Sequence, residues 1–118
     1  MLFRSNRLHP NEPERVPYLL KALGNIDMPI IGATDYMKSV VDQIAPWLPG
    51  RLTSLGTDGF GRSDNREHLR HHFENDAASI AGAALVRLAR WGRYDANRAH
   101  AAIRELGLDP ERLDPAYA

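Results

Sequence analysis

The 118-residue chain contains no cysteine, and this absence excludes disulfide bonds and thiolate metal ligands. It has no excess of charge of either sign, because Lys plus Arg and Asp plus Glu each number 15. No apolar run approaches the roughly 20 residues that span a bilayer, and the first residues lack the apolar core of a signal peptide. A formal net charge of zero gives no global attraction to polyanions. We therefore expect neither nucleic acid nor a membrane as a partner.

The sequence does contain enough apolar residues, 43%, for the core of one globular domain. Short apolar runs predict strands at Ile30–Ala33 and Leu52–Leu55. The amphipathic segment between them predicts a helix, and hence a parallel β-α-β unit with a right-handed crossover. The predicted helices cover residues 11–23, the stretch from near Asp35 to Pro46 and Pro49, and residues 65–73, 76–91 and 95–106.

These elements predict an α/β fold class with two short parallel strands and about five helices. Two parallel strands do not make a stable sheet alone, because a parallel sheet needs both faces covered and further strands. We therefore expect strands that lie upstream of this sequence to be missing. The helix over residues 76–91 is apolar on all sides at its start, so it is expected to be buried. The chain should accordingly expose apolar surface that other polypeptide would cover.

A glycine-rich run, Leu55–Asp64, follows the second strand and leads into a helix. Gly56, Gly59 and Gly61 mark backbone that needs positive φ or a close approach to another chain. The order of the glycines differs from the dinucleotide fingerprint, and no Lys-Ser or Lys-Thr follows them as in a Walker A loop. We interpret the run as a structural turn before a helix capped by Asp64 and Glu67. Anion binding at the helix start beside Arg62 is the alternative.

Few other residues indicate chemistry. His68 and His72 are four residues apart on a predicted helix, with His71 between them, and this spacing allows a shared metal ion. The order of a zincin motif is absent and no third ligand is evident, so a solvated polar face is the preferred interpretation. Asp58 and Asp64 are interpreted as turn and cap residues rather than as acid–base catalysts.

Three ordered segments carry a family resemblance. They are ATDYMK at residues 33–38, GTDGFGRSD at residues 56–64 and REHLRHHFE at residues 66–74. In this order they resemble the C-terminal region of the homodimeric, thiamin-diphosphate-dependent pyruvate dehydrogenase E1 component, a member of the transketolase superfamily. The resemblance covers the chain from about residue 7 to its end. It implies that residues 7–118 are the C-terminal part of the E1 C-terminal domain, and that residues 1–6 are a non-native or disordered start.

The resemblance implies a partial three-layer α/β/α domain of the transketolase C-terminal type. The full-length enzyme would be a cytoplasmic oxidoreductase that uses thiamin diphosphate and Mg²⁺ to decarboxylate pyruvate and reductively acetylate the lipoyl group of E2. Its implied partners are the rest of the E1 chain, the second E1 subunit and the E2 lipoyl acetyltransferase. Neither cofactor is expected to bind to this fragment alone.

The family's diphosphate and metal ligands lie in a G-D-G…N segment, which this sequence lacks. We therefore assign no catalytic, cofactor-binding or metal-binding residue, and we expect a structural, dimer-supporting and inactive fragment. Two alternatives remain, namely a free-standing interaction module and the C-terminal part of another transketolase-superfamily enzyme. The candidate structural or interface loops follow the two strands. Their residues are Thr34, Asp35, Tyr36, Lys38, Asp58, Gly59, Phe60, Gly61, Arg62 and Ser63.

Overall fold

The structure, a computed structural model, describes residues 2–23, 26–59 and 61–117 and shows an α/β arrangement. The strands are β1 (Ile30–Ala33) and β2 (Leu52–Leu55). The α-helices are, in chain order, α1 (Leu2–Leu8), α2 (Tyr18–Leu23), α3 (Lys38–Asp42), α4 (Arg66–His72), α5 (Ala77–Arg90) and α6 (Ala96–Glu105). Short 3-10 helices lie at Ala45–Trp47 and Pro115–Tyr117. The arrangement is compatible with a partial α/β domain.

The two strands pair in parallel, with Ile30 opposite Leu52 and Ala33 opposite Leu55. One further backbone bond, from the Thr34 N–H to the Leu55 oxygen at 3.0 Å, continues the ladder past the end of β1. Helix α3 crosses between the strands and packs on both, whereas α5 packs on β1 and on α6. The predicted β-α-β unit and both strand ranges are confirmed. The carboxyl ends of the strands, and the loops that follow them, lie at one edge of the sheet.

Helix α1 occupies a segment in which the sequence showed no structural pattern. The ring of Phe3 lies against the ring of Trp47, with 4.7 Å between their centroids. A hydrogen bond of 3.0 Å from the His9 N–H to the Ser5 oxygen follows the last turn. Residues 2–6 therefore lie in a helix, and Phe3 packs on Trp47, whereas a non-native origin for this start stays a prediction.

Helix α2 is shorter than the sequence predicted. It begins at Tyr18, so the predicted helix over residues 11–23 is wrong for residues 11–17. Pro17 explains the difference, because it has no N–H to donate and it disfavours the helical region for the residue before it. The first helical bond runs from the Lys21 N–H to the Pro17 oxygen at 3.1 Å, so the proline starts the helix.

Helix α3 also begins later than expected, at Lys38 rather than near Asp35. Met37 occupies the N-cap position, and its side chain makes no capping bond. The cap is supplied instead by Asp58, whose Oδ1 accepts the Lys38 N–H at 3.1 Å. An N-terminal N–H group is thus satisfied by a residue that lies twenty positions further along the chain.

The cap of α4 differs from the predicted capping box of Asp64 and Glu67. Asn65 is the N-cap, and its Oδ1 accepts the His68 N–H at 2.9 Å. Asp64 lies one residue earlier, where its Oδ1 accepts the Asn65 N–H at 2.7 Å. This bond to Asn65 and the nearby His68 ring lower the pKa of Asp64. The prediction of a helix start in this region is correct, but the capping residue was assigned one position too early.

The caps of α5 and α6 agree with the sequence. Asp76 accepts the Ser79 N–H at 2.9 Å, and Asp95 accepts the Arg98 N–H at 2.8 Å. Gly92 follows α5 with a φ of 71°, and Gly107 follows α6 with a φ of 74°. Aspartate at the start and glycine past the end are the residues that helices favour at these positions, so local sequence was sufficient here.

The residue that follows the C-cap of α4 has an unfavourable backbone conformation. Glu74 follows the C-cap Phe73 with a φ of 56°, in the left-handed region. The Glu74 N–H donates to the His71 oxygen at 3.3 Å and the Asn75 N–H donates to the Arg70 oxygen at 3.0 Å. These two bonds form a Schellman motif, which normally has glycine at the position that Glu74 occupies.

Replacing Glu74 with glycine should therefore stabilise the chain. A side chain in the left-handed region costs on the order of 1 kcal/mol, which corresponds to a rise in Tm of about 4–8 °C for a small domain. Thermal unfolding followed by circular dichroism measures this rise. Glu74→Ala is the control, because it removes the carboxylate but keeps the Cβ and should give no such gain. An equal rise in both variants would show that charge, not backbone conformation, is responsible.

The core is small for a chain of this length. Among the described residues, the buried hydrophobic side chains are Leu48, Phe73 and Ala99. Helix α5 was expected to be buried, yet its buried residues are only Ser79 and Gly82 in the part of the chain that the structure describes. The radius of gyration is 17.5 Å, whereas a compact domain of this length has about 13.5 Å. The prediction of a buried α5 is therefore wrong for this chain, since its apolar sides lack enough polypeptide to cover them.

Candidate interface loops at the carboxyl edge of the sheet

The two loops that the sequence singled out lie side by side. The β1–α3 loop comprises residues 34–37, and the β2–α4 loop comprises residues 56–65. The Thr57 N–H donates to the Tyr36 oxygen at 2.8 Å, which extends the pairing of the strands into the loops. Within the first loop, the Thr34 hydroxyl oxygen accepts the Tyr36 N–H at 3.1 Å. The structure therefore brings the two predicted loops together at one edge.

Lys38 and Asp58 connect the loops through two atoms of one carboxylate. Asp58 Oδ1 accepts the Lys38 N–H at the start of α3, and Asp58 Oδ2 lies 3.9 Å from the Lys38 Nζ. Both side chains are partly exposed, at 39% for Lys38 and 30% for Asp58. An ion pair of this length and exposure contributes little, so the backbone bond is the main contribution of Asp58.

This division of roles predicts different effects for two substitutions. Asp58→Asn keeps an oxygen for the Lys38 N–H and should cost less than about 0.5 kcal/mol. Asp58→Ala leaves that N–H without its cap and should cost about 1–2 kcal/mol. Urea denaturation of the two variants and the wild type measures both losses. Equal losses in the two variants would show that the charge of Asp58, not its acceptor oxygen, holds the loops.

Asp35 faces Arg70 of helix α4. The guanidinium donates to both carboxylate oxygens, from Nε to Oδ1 at 3.4 Å and from Nη2 to Oδ2 at 3.2 Å. These hydrogen bonds and the charge of Arg70 hold the pKa of Asp35 below its usual range. The pair connects the β1–α3 loop to α4. Because both side chains are exposed, it adds little stability.

Asn75 is a connecting residue that the sequence did not indicate. Its side chain is buried, with 8% of its surface exposed. Its Nδ2 donates to the Thr34 oxygen at 2.9 Å and lies 3.5 Å from the Thr57 hydroxyl oxygen, so it contacts both loops at once. An asparagine after a helix is typical of an ordinary turn, and no pattern in the sequence distinguishes Asn75 from such a turn residue.

The three glycines of the β2–α4 loop serve different purposes. A Cβ on Gly56 would lie 2.6 Å from the Tyr36 oxygen, so this glycine allows the close approach of the two loops. Gly59 has a φ of 101°, and a Cβ on it would lie 2.7 Å from the Pro115 oxygen. Among the described residues, a Cβ on Gly61 would meet nothing within 4 Å, so the close approach that the sequence suggested for these glycines is not seen at Gly61. Phe60, the remaining candidate between Gly59 and Gly61, lies outside the described residues.

The remaining loop residues are on the outside. Ser63 and Arg62 are exposed, as are the apolar side chains of Tyr36 at 73% and Met37 at 60%. Arg62 lines a cleft of about 420 Å³ together with residues of α4 and the β1–α3 loop. This edge thus presents an exposed aromatic ring and a methionine beside charged groups of both signs.

The three histidines of α4 contact different partners. His68 Nδ1 lies 3.3 Å from Asp64 Oδ1, and His71 Nδ1 lies 3.0 Å from Asp76 Oδ2. His72 Nδ1 contacts the guanidinium of Arg112 at 3.1 Å. Among the described residues, the structure has no group of three or more His, Cys, Asp or Glu side chains placed to hold a metal ion.

Curated proteins similar to this chain share one name. The pyruvate dehydrogenase E1 component of Haemophilus influenzae is 46% identical over 116 residues, or 98% of this chain. The corresponding proteins of Escherichia coli K12 and Mycobacterium tuberculosis are 44% and 45% identical over 116 and 107 residues, which are 98% and 91% of this chain. The chain is homologous to a segment of the pyruvate dehydrogenase E1 component.

The homologous segment is a small part of the E1 component. The chain spans about 13% of the length of the Haemophilus influenzae and Escherichia coli proteins and 12% of the Mycobacterium tuberculosis protein. No protein-family model matches the chain. In the described residues no helix is long and apolar enough to cross a membrane. The resemblance that the three sequence segments carried is confirmed, and it identifies the chain as corresponding to a fragment of E1.

Proposed function

We propose that the chain is the C-terminal part of a cytoplasmic, thiamin-diphosphate-dependent pyruvate dehydrogenase E1, and that this part supports the enzyme without catalysing its reaction. The observation that carries the proposal is the 46% identity over 98% of the chain together with a span of only 13% of that relative. The two loops at the carboxyl edge of the sheet are its contact surface. Their partners are the rest of the E1 chain and the second E1 subunit.

The loop geometry supports a role in contact rather than in chemistry. The carboxylates of the loops already have partners, since Asp58 caps α3 and Asp35 pairs with Arg70. The exposed Tyr36 and Met37 offer apolar surface. A rigid edge that carries exposed aromatic and thioether groups is suited to packing against another protein surface.

Thiamin diphosphate and Mg²⁺ are the cofactors of the whole enzyme in this proposal. The residues of this chain do not fit as ligands of the diphosphate–metal group. The sequence lacks the G-D-G…N segment, and the loop carboxylates Asp35 and Asp58 are held by Arg70 and Lys38. The full-length enzyme would decarboxylate pyruvate and pass the acetyl unit to the lipoyl group of E2, with residues outside this chain acting on the substrate.

Two assays with the same readout test this function. The purified 118-residue chain, given thiamin diphosphate, Mg²⁺, pyruvate and a dye acceptor, should show no turnover above the blank. The Escherichia coli relative should lose activity when its homologous segment is deleted and recover it when this chain replaces that segment. Cofactor-dependent decarboxylation by the chain alone would contradict the proposal. An active deletion variant would contradict the supporting role.

A further inference from the structure

The C-terminal segment Asp109–Tyr117, here called the C-terminal strap, lies across the end of α4 and the β2–α4 loop. Arg112 donates from Nη1 to the His71 oxygen at 3.3 Å and from Nη2 to the His72 oxygen at 3.4 Å. These oxygens belong to the last turn of α4, and the His71 oxygen also accepts the Glu74 N–H of the Schellman motif. Further along, Pro115 is buried, and its oxygen closely approaches Gly59. The strap is therefore held at two points.

The contact between Arg112 and the end of α4 includes a histidine, a side chain that ordinarily titrates near neutral pH. Arg112 Nη2 lies 3.1 Å from the Nδ1 of His72. A guanidinium has only donors and keeps its charge at all ordinary pH values, so Nδ1 must be the unprotonated acceptor. The neutral ring of His72 then carries its proton on Nε2. A proton on Nδ1 would place donor against donor and one positive charge against another.

The groups around His72 favour its neutral form. Burial of the ring lowers the pKa of His72, and the charges of Arg62 from the β2–α4 loop and Arg112 from the strap lower it further. Glu74 acts in the opposite direction. The centroids of the Phe73 ring and the His72 imidazole lie 4.8 Å apart in an edge-on arrangement. This contact adds no charge beside His72. The strap thus binds the neutral ring and opposes its protonation.

We propose that His72 and Arg112 form a pH-sensitive latch, and that protonation of His72 releases the C-terminal strap from α4. The docked strap is fully favoured above the ordinary histidine pKa of about 6.5, where both docked and released states carry a neutral ring. Below it the released state gains a proton more readily than the docked state. Docking therefore weakens as the pH falls from about 6.5 toward the lowered pKa of the docked ring.

Release would change more than one contact. The strap residues Asp109, Pro110, Arg112 and Asp114 form one wall of a cleft of about 550 Å³, and α5 and α6 contribute residues to its other walls. Without the strap this cleft opens, and the close approach of Pro115 to Gly59 is lost from the β2–α4 loop. The latch would then couple proton concentration to the surface that we propose as the contact with the rest of E1, although the latch itself does not depend on that function.

Nuclear magnetic resonance on the 118-residue chain tests the latch, at low temperature and at a protein concentration where the chain is folded and monomeric. Ring ¹⁵N shifts should show the Nε2–H tautomer of His72 at pH 7.5, and its titration midpoint should lie below 6.5. The backbone amides of Leu113, Asp114, Ala116 and Tyr117 should move to shifts of a released segment with the same midpoint. In Arg112→Gln these amides should be released even at pH 7.5, and the His72 midpoint should rise. His68→Gln is the matched control, because His68 faces Asp64 and should leave the transition unchanged.

Three outcomes would overturn the latch. The first is a strap whose amides do not change while His72 titrates. The second is an Nδ1–H tautomer at neutral pH, which is incompatible with a bond from Arg112. The third is a transition that survives in Arg112→Gln or disappears in His68→Gln. If Arg112→Gln misfolds, His72→Gln keeps the test meaningful, because its uncharged amide oxygen can still accept from Arg112 and the strap should then stay docked at low pH.

Discussion

Alanine at Gly56 or Gly59 should destabilise the chain strongly, whereas alanine at Gly61 should be tolerated. At Gly56 the new Cβ would lie 2.6 Å from the Tyr36 oxygen and 2.8 Å from the Lys38 nitrogen, which are backbone atoms that cannot rotate away. At Gly59 the Cβ would lie 2.7 Å from the Pro115 oxygen, and the φ of 101° adds strain. Overpacking and left-handed strain each cost on the order of 1–3 kcal/mol.

The expected loss is therefore about 2–6 kcal/mol at Gly59, where both effects apply, and about 1–3 kcal/mol at Gly56. A loss of this size lowers Tm by roughly 10 °C or more in a small domain. Gly61→Ala is the matched control, since no atom in the described part of the chain lies within 4 Å of its added Cβ. Thermal unfolding of the three variants, ideally within the chimeric E1, measures the difference. A Gly61→Ala variant that is as unstable as Gly59→Ala would show that the loop is rigid for a reason other than these backbone contacts.

The strands and two helix caps could be predicted because their signals are local. The apolar run Ile30–Ala33 follows a proline, and Asp76 and Asp95 come directly before helical patterns. Each signal depends on neighbours in the chain, so the sequence contains all the information that is needed. The resemblance to E1 could also be recognised from the sequence, because it rested on long segments of contiguous residues in a fixed order.

The connections between the loops could not be predicted, because they join residues that are distant in sequence. Asp58 caps a helix that begins twenty residues earlier, and Asn75 donates to the backbone of Thr34, forty-one residues away. Aspartate in a glycine-rich turn and asparagine after a helix are common for purely local reasons. Only the arrangement of the two loops side by side in the folded chain gives these two residues their role. The late start of α3 has the same origin, whereas the cap of α4 was misassigned by one residue between two neighbouring residues that both favour this position, Asp64 and Asn65.

The exposure of helix α5 could not be predicted from the sequence for a different reason. The apolar residues at its start predict burial, and this prediction concerns a complete domain. In the described structure α5 packs on β1 and on α6, yet Ile80 is 37% exposed. A helix that lies over β1 and is open on its other side needs a neighbour beyond the free edge of that strand. We therefore expect an upstream strand of E1 to pair with β1 there.

The isolated chain should consequently be marginally stable or should self-associate. A deficit of a few hundred Å² of buried apolar surface, at about 25 cal/mol/Å², corresponds to roughly 5–10 kcal/mol. This is comparable to the whole stability of a small domain. The buried hydrophobic residues of the described structure, Leu48, Phe73 and Ala99, are too few to offset it. We expect a broad thermal transition, or a sedimentation profile that changes with protein concentration.

The matched comparison is the same sequence placed in the Escherichia coli relative in exchange for its homologous segment. There the upstream polypeptide can cover α5 and pair with β1, so amide hydrogen exchange in α5 should slow by at least a hundredfold relative to the isolated chain. A hundredfold corresponds to about 2.7 kcal/mol, well below the calculated deficit. A monodisperse monomer of the isolated chain with a sharp, high thermal transition would show that it is a complete domain. Its exposed α5 would then be a surface in its own right, and the proposed dependence on the rest of E1 would be wrong.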